Sequence, residues 1–107
     1  MQVSGRVFVV TGAGSGIGRA TTLQLLGRGA KVAAVDLHAD TLDQMSTLAR
    51  AGNRLSLHPI DISDRSAVEA LPDAVVDHHG QVDGVLNIAG IIQPFDPVMD
   101  LPLAVAE

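Results

Sequence analysis

The sequence predicts an α/β fold: part of a doubly wound parallel sheet, four strands in the order 3-2-1-4. Three observations carry this. Four short apolar runs alternate with three segments of helical period. Three of the four runs are nearly continuous, as suits strands covered on both faces. A glycine-rich turn joins the first run to the first helical segment.

Taken in order, Val7-Phe8-Val9-Val10 is short, apolar and rich in β-branched residues, hence a strand. Ile17, Ala20, Leu23 and Leu26 recur at three-residue steps and predict a helix to Arg28, with Gly29 to cap it. Val32-Ala33-Ala34-Val35 predicts the second strand. Leu42, Met45, Leu48 and Ala49 share one face of a helix over Thr41 to Arg50, and Gly52 lies just beyond its end. Leu55-Ser56-Leu57-His58 alternates, which places the third strand at a less buried edge. Ser63 is the expected N-cap of a helix carrying Ala67, Val68, Leu71 and Val75 and closed by Gly80; Pro72 inside it predicts a kink or a restart. Val85-Leu86-Asn87-Ile88 is the fourth strand.

Beyond it, Pro94, Pro97 and Pro102 break up the stretch from Ile91 to Glu107. Strand four then has an unpaired apolar edge, which a lone sheet tolerates badly. The expected organisation is one α/β portion over 1–90 and the start of a further, truncated segment over 91–107. A partner for the open edge, a second copy or another chain, is expected.

Composition narrows the function classes. The 107 residues carry a net charge of −5, with no Cys, no Trp and no Tyr, and Lys31 is the single lysine. The absence of Cys removes disulfides, thiolate nucleophiles and Cys-based zinc sites. An acidic chain without basic runs is a poor partner for nucleic acid or an anionic membrane. No apolar stretch reaches the roughly 20 residues needed to span a bilayer. The first six residues lack the charged-then-apolar layout of a secretory signal. A soluble, cytoplasmic protein is the expectation.

The turn Thr11-Gly12-Ala13-Gly14-Ser15-Gly16-Ile17-Gly18 carries the chemistry. Its glycines let backbone approach a ligand closely. The helix that follows aims its free N–H groups and positive dipole end at the same space, which suits a pyrophosphate. A Walker loop needs a Gly-Lys pair, and this turn has no Lys. The G-x-G-x-x-G/A fingerprint fails at Ile17. What stands is T-G-x-x-x-G-x-G. The competing reading is a glycine turn without a ligand.

Asp36 closes the second strand, 18 residues after Gly18, near the spacing expected of a ribose-binding acid. Its carboxylate can accept from the ribose hydroxyls and would repel a 2′-phosphate. At about 4 Å and an effective dielectric of about 20 that repulsion is roughly 4 kcal/mol before screening. Ser15 and Leu37 offer no cation to a 2′-phosphate, so NAD is expected over NADP. The alternative role for Asp36 is a strand-end acid or a cap of the next helix.

Thr11-Gly12-x-x-x-Gly16-x-Gly18, Asp36, Asp61-Ile62 and Asn87-Ile88-Ala89-Gly90 together resemble the classical short-chain dehydrogenase/reductase (SDR) family, in its amino-terminal, Rossmann-type portion. The resemblance covers nearly the whole chain and implies roles. Gly12, Ser15, Gly16, Ile17 and Gly18 would hold the pyrophosphate and adenosine ribose. Asp36 and Leu37 would contact that ribose and its surroundings. Asp61 would accept from the adenine amino group, and the Ile62 backbone would meet the ring edge. Asn87, Ala89 and Gly90 would lie along the cofactor, with Ile88 replacing the family's second Asn. On local sequence alone, Asp61 is as well suited to forming a turn.

The family's catalytic Ser, Tyr and Lys, and a further Asn, lie downstream of that last motif. This chain has no Tyr, and Lys31 precedes the second helix, so no catalytic residue is assigned. His78 and His79 read as a polar helix end, His38 and His58 as surface residues, and Asp96 and Asp100 as unpaired acids. Two functions remain: the NAD-binding part of an oxidoreductase moving hydride between NAD and an alcohol or carbonyl, or a non-catalytic NAD-binding module.

Overall fold

The computed structural model describes residues 3–14 and 16–88. Four parallel strands, β1 (Val7–Thr11), β2 (Lys31–Asp36), β3 (Leu55–Pro59) and β4 (Gly84–Asn87), form a sheet in the order β3-β2-β1-β4. Three helices connect them: α1 (Gly16–Gly27), α2 (Ala39–Ala49) and α3 (Arg65–His79). A 3-10 turn, Gly52–Arg54, leads into β3.

Side-chain alternation divides the core between the two faces of the sheet. Val10, Val32 and Ala34 pack with Leu26 of α1 and with Leu42 and Met45 of α2. Val7, Val9, Ala33 and Val35 face the other way, toward Val75 of α3. This is why β1 and β2 read as unbroken apolar runs: both of their faces are covered. β4 departs from that expectation. Val85 is 52% exposed, because α3 covers only part of its side of the sheet.

The helix ends differ from the expected ones in three places. Asp64, not Ser63, caps α3, accepting from the Ser66 and Ala67 amides; Ser63 is itself held by Asp61. α2 begins at Ala39 rather than Thr41, and ends as expected before Gly52, with Arg50 closing it in the left-handed region at φ 51. Pro72 does not restart α3, which runs through it. The carbonyl deprived of its partner is that of Val68, and both residues are exposed, so water can serve it. Gly29 and Gly80 take the positive φ expected at helix ends, 88° and 89°.

Arg54 fastens the far end of the sheet. Its Nη1 donates to the carbonyls of Leu26 and Ala30, at 2.9 and 3.0 Å, where α1 turns into β2.

Candidate functional site

Parallel pairing brings the carboxyl ends of all four strands to one rim. Thr11 lies opposite Val35 and Asn87, and Asp36 lies opposite Pro59. Ligands of open α/β sheets bind in the crevice outside such ends, where the strand order reverses about β1.

The turn after β1 is shaped by glycine at specific positions. Gly12 and Gly16 sit at φ 72° and 59°, which side chains resist. Gly18, in the first turn of α1, is buried against the Gly12 carbonyl, which a Cβ there would strike. That contact lets α1 approach the loop closely and point its first amides, which have no partner one turn back, into the crevice. The Ala13 amide donates to the Val35 carbonyl at 3.0 Å and pins the loop to β2.

Asp36 sits within this loop's reach. Its Oδ2 accepts from the Gly14 amide at 2.8 Å, and its Oδ1 accepts from the His38 amide at 3.3 Å. Gly14 is closed in further: a Cβ there would collide with Oγ1 of Thr41 and stand 2.9 Å from Asp36 Oδ2. The Gly14 amide therefore serves the carboxylate, leaving anion contact to the amides at the start of α1.

Asp61 and Ile62 come beside Asp36 because the Ile60 amide donates to the Asp36 carbonyl at 2.8 Å. Asp61 Oδ1 accepts from the Ser63 hydroxyl at 2.7 Å and the Ser63 amide at 2.9 Å. These two bonds, the hydroxyl first, hold its carboxyl below the usual carboxylate range against a small opposing cost of burial. The turn-forming role of Asp61 is thus observed directly. Asn87 Oδ1 accepts from the Thr11 hydroxyl at 2.8 Å, across the β1–β4 pair. Ile17, Leu37 and Ile62 are 54%, 57% and 47% exposed, three aliphatic side chains left in solvent on segments that leave the rim. Ser15, Ala89 and Gly90 lie outside the described residues.

Three further residues belong to this arrangement. Arg19 Nε donates to the Gly14 carbonyl at 3.0 Å, and its terminal nitrogen lies 3.5 Å from Oε1 of Gln44 on α2. Thr41 walls Gly14 from the α2 side, and the Thr11 hydroxyl orients Asn87. The only local signal for Arg19 is its place directly after Gly18; contacts of Thr41 and Asn87 depend on neighbours distant in sequence.

An apolar groove of about 440 Å³ runs between α3 and β4, lined among others by Val9, Val68, Leu71 and Val85, and reaches the rim at Thr11, Ile62 and Asn87. Among the described residues no group of His, Cys, Asp and Glu is arranged to hold a metal ion. No described helix is long and apolar enough to cross a membrane. His58, expected at the surface, is half-buried, and His79 is 8% exposed; both bond to Ser56.

Comparison with known proteins agrees with this geometry. The family model described as short chain dehydrogenase matches residues 6–105. A putative oxidoreductase, SadH, of Mycobacterium tuberculosis is 48% identical over 88 residues, which is 81% of this chain and 32% of that protein. 3beta-hydroxysteroid dehydrogenase 2 of Eggerthella lenta is 34% identical over 100 residues, covering 92% of this chain and 38% of its own. The crystal structure of a short chain dehydrogenase/reductase from Burkholderia phymatum in complex with NAD superposes with a TM-score of 0.74 at 32% identity, over 79% of this chain and 31% of that one. The chain thus spans about a third of the length of the relatives it matches. With its Rossmann-type sheet order, its T-G-x-x-x-G-x-G turn and a match over nearly its whole length, the chain belongs to the short chain dehydrogenase family.

Proposed function

We propose that this chain is the NAD-binding portion of an oxidoreductase that moves hydride between NAD and an alcohol or carbonyl substrate. The observation that carries the reading is the Asp36 carboxylate, fixed at the rim by Gly14 and His38 beside a loop in which Gly14 and Gly18 leave no room for a side chain. That cradle fits a dinucleotide: a Cβ at Gly18 would fill the approach of α1 to the turn. When bound, the dinucleotide supplies the hydride acceptor or donor at its nicotinamide.

The chain's own residues bind and orient. Gly12, Ser15, Gly16, Ile17 and Gly18 would hold the pyrophosphate, with α1's dipole favouring negative charge there. Asp36 would accept from the adenosine ribose hydroxyls. Leu37 and Ile62, both exposed, would exclude water from the adenine. Asp61 keeps Oδ2 for the adenine amino group while Oδ1 holds Ser63. Asn87, Ala89 and Gly90 would lie along the cofactor toward its nicotinamide end.

NAD is favoured over NADP because Asp36 opposes a 2′-phosphate and Leu37 offers it no cation. Residues 1–90 would be the nucleotide-binding portion and 91–107 the start of the next segment. We place the protein in the cytoplasm, with a second copy or chain covering the open flank of β4. Proton transfer to the substrate would fall to groups outside this chain, which has no Tyr and whose one Lys opens β2 at the end opposite Asp36. That same shortage favours the second reading, a non-catalytic NAD-binding module.

Calorimetry on the full chain with NADH and NADPH tests the site. NADH should bind, NADPH more weakly, and Asp36→Asn should narrow the difference. No heat with millimolar NADH would remove both readings. Alcohol-dependent NAD reduction by a protein containing this chain separates the two, since the module reading predicts none.

A further inference from the structure

Resting on the NAD-binding reading, we infer that Arg19 is a positioning residue for cofactor selectivity, acting through Gly14 on the Asp36 carboxylate. Gly14 has both of its peptide groups held by side chains. Its carbonyl accepts from Arg19 Nε at 3.0 Å, and its amide donates to Asp36 Oδ2 at 2.8 Å. The first bond carries a full charge on the donor, which makes it among the stronger kinds. The guanidinium also reaches Gln44 on α2, so one side chain spans α1, the loop and α2.

Glycine has no Cβ to restrict its peptide orientations, so the loop cannot fix Gly14 by itself. Thr41 fills the space beside it but makes no bond to its backbone. Arg19 is the group that sets the plane of the Gly14 carbonyl. Gly14 then aims its amide at Asp36, and Asp36 is held with its carboxylate at the rim. Removal of the guanidinium frees Gly14 to turn, and the carboxylate loses its strongest tether. His38, at 3.3 Å, remains as the weaker one.

A guanidinium near a diphosphate also acts by charge alone, and the two roles predict opposite signs. NADPH carries more negative charge than NADH. Loss of a cation that acts only by attraction weakens NADPH more, so the preference for NADH rises. Loss of a group that orients Asp36 weakens the ribose contact made by NADH and relaxes repulsion of the 2′-phosphate, so the preference falls.

The experiment measures dissociation constants of NADH and NADPH for the full chain, for Arg19→Met and for Arg19→Lys. Arg19→Met keeps the apolar stem and loses every donor. Its ratio of dissociation constants, NADPH over NADH, is expected to fall about five-fold, a change of the size that one ordinary hydrogen bond commands. Arg19→Lys keeps the charge without the fixed fork of donors and should lie between. Amide exchange at Gly14, read in the absence of cofactor, should quicken in Arg19→Met. An unchanged or raised ratio in Arg19→Met, or unaltered Gly14 exchange, overturns the inference while NAD binding by the parent stands. Failure of the parent to bind either dinucleotide overturns the reading of the site itself.

Discussion

Ser56 Oγ lies 2.9 Å from Nε2 of His79, joining β3 to the last turn of α3. The same hydroxyl is 2.8 Å from Nε2 of His58, so it can donate to one ring and accept from the other. His78 stacks edge-on against His79, with ring centroids 4.3 Å apart. Burial first, then the charges of His78, Lys31 and His58, lower the His79 pKa to about 4, with a bond donated to the Val32 backbone opposing.

Protonation of His79 should therefore weaken the fold as pH falls. The unfolded chain takes up this proton near pH 6.5 and the folded one only near 4, so stability is full above 6.5 and falls as pH drops through that window. The loss attributable to His79 is roughly 2–3 kcal/mol. His58, also lowered by burial and His78, adds in the same direction. Urea melts from pH 7 to 4 should show the slope, and His79→Gln should flatten it. A slope that His79→Gln leaves intact would contradict this assignment.

Gly18→Ala should damage both fold and binding. Its methyl meets backbone, the Gly12 carbonyl, and not the yielding end of a side chain. Forcing α1 away from the loop costs about 1–3 kcal/mol, the usual range for overpacking. Thermal melting should drop by several degrees, and NADH affinity should fall at least ten-fold. Gly27→Ala, where a Cβ meets open space within the same helix, is the control and should do neither harm.

Thr22→Val is expected to stabilise the protein. Thr22 is fully buried in α1, and its Oγ1 finds no hydrogen-bond partner among the described residues. Replacing an unsatisfied buried hydroxyl by a methyl of the same shape should gain about 1 kcal/mol, less the small helix penalty of a β-branched residue already present in Thr. A lowered denaturation midpoint would mean that the hydroxyl has a role in the native state.

Arg54→Met should lower stability by about 1.5–3 kcal/mol, the range for hydrogen bonds to a charged group. It takes the guanidinium from the carbonyls of Leu26 and Ala30 where α1 hands over to β2, and Leu26 is left with the Gly29 amide alone. Chemical denaturation reads the loss directly. Cofactor affinity should hardly move, since Arg54 lies at the end of the sheet opposite Asp36.

Local pattern made most of the fold legible. Val7 to Val10 and Val32 to Val35 are buried on both faces, and unbroken apolar runs say so. Helical spacing located α1, α2 and α3. The misplaced features depended on choices among near neighbours. Asp64 displaced Ser63 as cap because Asp61 claims the Ser63 hydroxyl and amide. The site was legible as spacing: the glycines, Asp36 and Asn87 each carry it. Its wiring was not, because Gly14 to Asp36 and Thr11 to Asn87 bridge 22 and 76 residues. The burial of His79, read from sequence as part of a polar helix end, was hidden for the same reason, since its bond to Ser56 spans 23.

β1 is hydrogen-bonded on both sides, to β2 and β4, and Val7 to Val10 are its sealed interior. The turn that leaves Thr11 is rooted in one of the two interior strands, which are less free to open than the edges. Transient breathing of the chain should begin elsewhere, at β4 with its alternately uncovered side chains and at the outer turns of α3. Thus the rim crevice keeps its shape through fluctuations that fray the periphery, and its rigidity is inherited from the middle of the sheet.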